Sequence, residues 1–224
     1  MRKNIYTLLF CLMALTAVAQ TTDAGWIEIN PDLHLFKNKK WFFTPEIGYR
    51  STNFEGSHQF MLRPHFGYKM NKHFSYELGA SYVVSWSDFY ATKHDLGLYQ
   101  HVSASTGSWN GFSLGMRVRL EEGLSMPVGG DNVFTARLRV RPHIKYNMPF
   151  LKSKSLYIQA LLENHTYLAN RDRLNDALWL AGRLGVSPTK RLRLIFEYNY
   201  SLTYKTGDTS YGNRFRLITY YNFL

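Results

Sequence analysis

The sequence predicts an all-β fold: a single antiparallel transmembrane β-barrel of about 12 strands, with 10 as the fallback, carrying short periplasmic turns and longer outer loops. Three observations predict it. An export leader opens the chain, a hydrophobic period of two runs through nearly all of the remainder, and that period sorts aromatics and arginines onto opposite parities.

Arg2 and Lys3 precede an apolar stretch from Ile5 to Leu15, and Ala17-Val18-Ala19 supplies a small-residue cleavage site. This reads as a secretory signal peptide over residues 1–19, too short to cross a membrane as a helix. Residues 20–224 then form the exported domain. Cys11, the one cysteine of the 224 residues, leaves with the leader, so the domain has neither a disulfide framework nor a Cys-based zinc site. The bulky Phe10 before Cys11 and the apolar residues after it argue against lipid attachment there.

From Gly25 onward apolar residues recur at every second position, as strands require, and no comparable amphipathic helix interrupts them. A weak run lies at 26–35. Over 41–50, Trp41, Phe43, Pro45, Ile47 and Tyr49 oppose Phe42, Thr44, Glu46, Gly48 and Arg50. Next, Phe60, Leu62, Pro64, Phe66 and Tyr68 oppose Gln59, Met61, Arg63, His65, Gly67 and Lys69. The run at 74–84 sets Phe74, Tyr76, Leu78 and Tyr82 against Ser75, Glu77, Gly79 and Ser81, and a weaker one follows at 95–104. At 112–121, Phe112, Leu114, Met116, Val118 and Leu120 oppose Ser113, Gly115, Arg117, Arg119 and Glu121.

The clearest alternation is at 134–146, where Arg137, Arg139, Arg141, His143 and Lys145 interleave with Leu138, Val140, Pro142 and Ile144. Weak runs at 156–165 and 178–186 precede 192–200, which sets Leu192, Leu194, Phe196, Tyr198 and Tyr200 against Arg193, Ile195, Glu197 and Asn199. The last run places Phe215, Leu217, Thr219, Tyr221 and Phe223 opposite Arg214, Arg216, Ile218, Tyr220 and Asn222.

These are eleven segments, most near the 9–11 residues that cross a bilayer as tilted strands. Bacterial single-chain barrels have even strand numbers, so a further, undetected strand is expected. Short basic turns (37–40, 70–73, 187–191) trade places with longer polar stretches (51–58, 85–94, 122–132, 166–176, 202–212). Pro31, Pro45, Pro64 and Pro142 fall inside segments, where each removes a ladder donor and leaves the local register open.

A soluble secreted barrel would turn the apolar parity inward, whereas an outer-membrane barrel turns it toward lipid. Aromatics near segment ends (Trp41, Tyr49, Tyr68, Phe74, Tyr82, Tyr198, Tyr200, Tyr221) fit interface girdles, and the polar parity is rich in Arg. Both favour the membrane form. A soluble secreted β-barrel binding protein is the alternative.

Several stretches resemble a known family: Lys-Asn-Lys-Lys-Trp at 37–41, Gly-Tyr-Arg at 48–50, Arg117-Val-Arg-Leu-Glu-Glu122 and Arg137-Leu-Arg-Val-Arg141. Leu161-Leu-Glu-Asn164 and an expected hairpin at Arg183-Leu-Gly185 extend the likeness over nearly the whole exported chain. The chain resembles the uncharacterised outer-membrane β-barrel proteins grouped as domain of unknown function 2490. The resemblance implies an outer-membrane barrel and supplies no catalytic residues.

The formal net charge is +11, but the basic residues alternate with apolar ones along strands instead of clustering, so nucleic acid is not the expected partner. The inward parity holds Arg50, Arg63, Lys69, Arg117, Arg119, Arg137, Arg139, Arg141, Lys145, Arg183, Arg193, Arg214 and Arg216 against Glu46, Glu77, Glu121, Glu163 and Glu197. Buried charges must be paired, so an Arg–Glu network filling the barrel is the first expectation. An anion-attracting passage or binding lumen, with Arg137, Arg139 and Arg141 as its stripe, is the second. Expected partners are outer-membrane lipid, the barrel-insertion machinery and small anionic solutes.

No cofactor motif, His-Glu-x-x-His or phosphate-cradling loop occurs. The enzymatic alternative is an outer-membrane lipid hydrolase built on His101-Val-Ser103, a His-x-Ser spacing in which His could activate Ser. His73-Phe-Ser75 repeats that spacing, and Asn110 is a candidate to orient His101. With 8 His and 16 Ser in the chain, chance alone gives roughly 0.6 such pairs. Catalysis is not the expected role.

Overall fold

The computed structural model describes residues 22–36, 39–52, 56–88, 91–148, 156–169, 175–205 and 208–223. The signal-peptide reading of residues 1–19, with Cys11, and half of the 37–40 turn lie outside the described residues.

The described residues form eleven strands: β1 (Thr22–His34), β2 (Trp41–Thr52), β3 (Ser57–Lys69), β4 (Phe74–Ser87), β5 (Lys93–Ser105), β6 (Phe112–Pro127), β7 (Val133–Asn147), β8 (Leu156–Ala169), β9 (Asn175–Val186), β10 (Leu192–Lys205) and β11 (Asp208–Phe223). They close into one barrel in sequence order, with every sequential pair antiparallel. The closing pair, β1 with β11, is parallel from Thr22↔Gly212 to Leu33↔Phe223. The expectation of 12 strands, or 10, is thereby corrected. In an up-and-down series of odd number the first and last strands point the same way, and one parallel pair closes the ring without a further strand.

The long outer loops are corrected too. The strands run 12 to 16 residues, and much of what reads as polar loop is strand: β6 continues to Pro127, and β10 and β11 pair out to Lys205↔Asp208. Arg183 to Gly185 likewise lies within β9, not in a hairpin. Polarity alone does not end a strand, because the ladder is made by the backbone. The tightest described turn is Asn110-Gly111, with φ of 47° and 88°. Trp109 and Phe112 exchange both backbone hydrogen bonds across it at 2.8 Å. Two left-handed residues match the twist of a two-residue hairpin. Asn110 is therefore a turn residue.

The prolines interrupt the ladder without shifting it. Pairing lapses between Ile29↔Ile47 and Leu33↔Phe43, bracketing Pro31 and Pro45. It lapses again between Leu62↔Tyr82 and His65↔Gly79 beside Pro64, and between Val140↔Asn164 and His143↔Leu161 beside Pro142. The register is the same on both sides of each lapse.

The alternation resolves with inverted polarity. Leu98 is 63% exposed and Phe66 55%, while Glu28 and Glu163 are each 2% exposed. Trp41, Tyr49, Tyr68, Phe74, Tyr82, Tyr198, Tyr200 and Tyr221 share the outward parity, with rings meeting in pairs such as Trp41–Tyr68 at 4.6 Å and Phe112–Tyr146 at 4.4 Å. Inside, small and large residues alternate around the wall. Phe42 lies directly across from Gly67, Tyr99 from Gly79, Tyr157 from Gly185 and His143 from Gly115. A Cβ on any of these glycines would sit within 2.5 Å of the facing ring. The missing side chain is what lets each ring lie flat against the wall.

Candidate functional site

An eight-stranded barrel is narrow enough for ordinary side chains to fill. Eleven strands enclose more, and here the longest polar side chains bridge the space as two connected ion networks. One spans β1, β2, β3, β9, β10 and β11. Arg63 binds Glu46 and lies 3.8 Å from Glu28. Arg216 binds Glu28, with its Nε at 3.1 Å, and reaches Glu197 at 3.5 Å. Glu197 also accepts from Arg183. Three arginines face three glutamates, so this network is balanced.

The other network spans β6, β7 and β8. Glu121 accepts from Arg139 at 2.8 Å and from Arg137, and forms an ion pair with Arg119, whose Nε lies 2.8 Å away. Glu163 accepts from Arg139, with Arg117 and Arg141 at 3.5 Å and His165 Nε2 at 3.3 Å. Five arginines face two glutamates, and the excess charge of the belt sits on this side. The stripe Arg137, Arg139, Arg141 exists as read from the sequence, but all three guanidiniums are engaged.

The remaining predicted cations follow another rule. Lys145, Arg193 and Arg214 make no ion pair among the described residues, nor do Arg50 and Lys69. Each lies over an aromatic face: Lys145 on Tyr157 at 4.0 Å, Arg193 on Tyr220 at 4.2 Å, Arg214 on Trp179 at 4.3 Å, Lys69 on Phe42 at 5.4 Å and Arg50 on Trp26 at 5.7 Å. Ring quadrupoles attract cations most where water is excluded. The expectation that Lys145 and Arg214 belong to the Arg–Glu network is corrected accordingly.

Sequence reasoning missed Glu28, Asp32 and the inward aromatics Trp26, Tyr99, Tyr157 and Trp179. All lie in the weak runs, where both parities carry apolar or aromatic residues. Alternation within Ile27-Glu28-Ile29-Asn30 is the signal that could have found Glu28.

The belt separates two cavities that share no lining residue. One, about 340 Å³, lies toward the rim where β1 begins, among Trp26, Arg50, Arg137, Trp179 and Arg214. The other, about 230 Å³, lies toward the opposite rim, among Asp32, Thr44, His65, Glu77, His101 and Ser103. There Glu77 bridges His65 at 3.2 Å and His101 at 3.1 Å, and the Tyr99 hydroxyl lies 3.2 Å from His65 Nδ1. His101 turns to Glu77, and among the described residues no hydrogen bond joins it to Ser103. His73 Nδ1 faces the Ser105 carbonyl at 2.8 Å. Among the described residues no group of three or more His, Cys, Asp or Glu is placed to hold a metal ion.

A family model described as Protein of unknown function (DUF2490) matches residues 24–213, which takes in strand material from β1 through β11. The chain belongs to this family. No curated protein and no solved structure matches it.

Proposed function

We propose that this DUF2490 member is an exported outer-membrane β-barrel whose lumen is closed at mid-height by the Arg–Glu belt. It serves as a scaffold with anion-receptive chambers rather than as an open pore or an enzyme. The inverted polarity carries the reading, because apolar side chains project outward where a water-soluble barrel would place charge. Trp41 and Tyr49 stand eight residues apart on β2, about 27 Å along the strand. At a tilt near 40° that is about 20 Å along the barrel axis, comparable to the apolar band of outer-membrane barrels. Belt residues at 2–9% exposure (Glu28, Arg119, Arg139, Glu163) leave little room for water at that level, which favours a closed lumen.

Membrane fractionation tests the location. The full chain should resist alkaline carbonate extraction and migrate faster unboiled than boiled. Recovery as a soluble periplasmic protein without detergent overturns the reading.

A further inference from the structure

We infer that the 340 Å³ cavity is a binding site for a small solute bearing an oxyanion group, phosphate or carboxylate. The inference rests on the reading of the lumen as anion-receptive, but not on the membrane location. Five buried atoms on the residues lining this cavity have no hydrogen-bond partner among the described residues: Trp26 Nε1, Arg50 Nε, Arg63 Nε, Trp179 Nε1 and Arg214 Nη1. All five are N–H donors. A sixth, His165 Nε2, lies 3.3 Å from Glu163.

Buried donors require acceptors, and this wall is short of them. Arg63, Arg137 and Arg139 are committed to Glu46, Glu121 and Glu163. Arg50 and Arg214, which pair with no carboxylate among the described residues, bring two further positive charges to the same cavity, and Asp176 is the single carboxylate among its lining residues. Arg50 stands directly across from Trp26 on β1, and Arg214 is paired with Ala24 on the other side of that strand. The two guanidiniums thus flank β1 while the indoles of Trp26 and Trp179 add neutral donors beside them. Fixed guanidiniums with convergent N–H groups suit an oxyanion, whose several lone pairs accept from different directions. The volume is at the lower end of the roughly 300–1,000 Å³ of small-molecule sites, enough for the anionic group and a short organic body.

The test uses the folded barrel in detergent micelles, with Trp41, Trp86 and Trp109 changed to Phe so that Trp26 and Trp179 alone report. Inorganic phosphate is titrated against sodium chloride at matched ionic strength. The expected result is a saturable emission change with phosphate, and phosphate protection of both tryptophans from iodide quenching. Arg50→Gln and Arg214→Gln should each weaken binding about 10- to 100-fold, the effect of losing one charge-assisted hydrogen bond. Lys145→Gln, in the other half of the lumen, should leave it unchanged. Circular dichroism and heat-dependent migration establish the fold of each variant. If Arg214→Gln does not fold, Arg214→Lys, which keeps the charge but loses the fork, should still weaken binding. A folded barrel whose response to phosphate equals that to chloride, or is indifferent to both arginines, overturns the site and leaves the barrel reading standing. A chain that is soluble without detergent yet binds phosphate overturns the membrane reading alone.

Discussion

Replacing Glu163 by glutamine removes one carboxylate from a position only 2% exposed to solvent. Three guanidiniums converge on it: Arg139, Arg117 and Arg141. Arg139 retains Glu121, but Arg117 and Arg141 make no other ion pair among the described residues. The side of the belt with five arginines and two glutamates would then have five and one. Leaving buried charge unpaired costs about 3–5 kcal/mol. At an m-value of about 2 kcal/mol/M, the urea midpoint should fall by about 2 M. Reversible unfolding in micelles, followed by tryptophan emission, measures this directly. Glu122→Gln, one residue past Glu121 but exposed on the outward face and without an ion pair among the described residues, should show no loss. A change below about 0.5 kcal/mol for Glu163→Gln, the size of an ordinary surface substitution, would refute the belt as a stabilising structure.

Gly185→Ala should destabilise the barrel by about 1–3 kcal/mol through overpacking, since the new Cβ would lie 2.1 Å from the Tyr157 ring; thermal or urea unfolding checks it, and Tyr157→Leu in the same chain should recover part of the loss. Planar-bilayer recording of the wild type should show no steady current, and stepwise ohmic conductance would refute closure of the lumen; where any current is found, Arg139→Glu should change its ion selectivity. Purified protein should release no fatty acid from phospholipid vesicles, and release abolished by Ser103→Ala would establish the hydrolase instead.

Where alternation was clean, the sequence placed both strand and face correctly: β6 and β7 carry the Arg117–Glu121 and Arg137–Lys145 parities into the lumen as read. All eleven segments are strands, and the expected twelfth is not found among the described residues. Even strand number is a habit of antiparallel closure, while the parallel β1–β11 contact is made between the chain's two ends and leaves no local trace. The prolines were legible as ladder defects, but that the register survives them depends on the cross-strand pairs on either side of each, which local sequence does not carry. The division of the basic residues was not legible. Arg139 and Arg214 both alternate with apolar neighbours, yet one falls between two glutamates and the other on Trp179. That outcome depends on which strands adjoin and on aromatics hidden in the weak runs. The two cavities depend on the same cross-strand geometry.

In the proposed barrel the apolar parity faces lipid while the charged parity fills the lumen. Leu98 is 63% exposed near the middle of β5, so Leu98→Arg in phospholipid vesicles probes it most directly. An Arg facing lipid at mid-bilayer costs about 2–4 kcal/mol, and unfolding free energies compared with wild type in the same vesicles should differ by that amount. A difference within about 0.5 kcal/mol, as for a substitution facing water, would contradict the account.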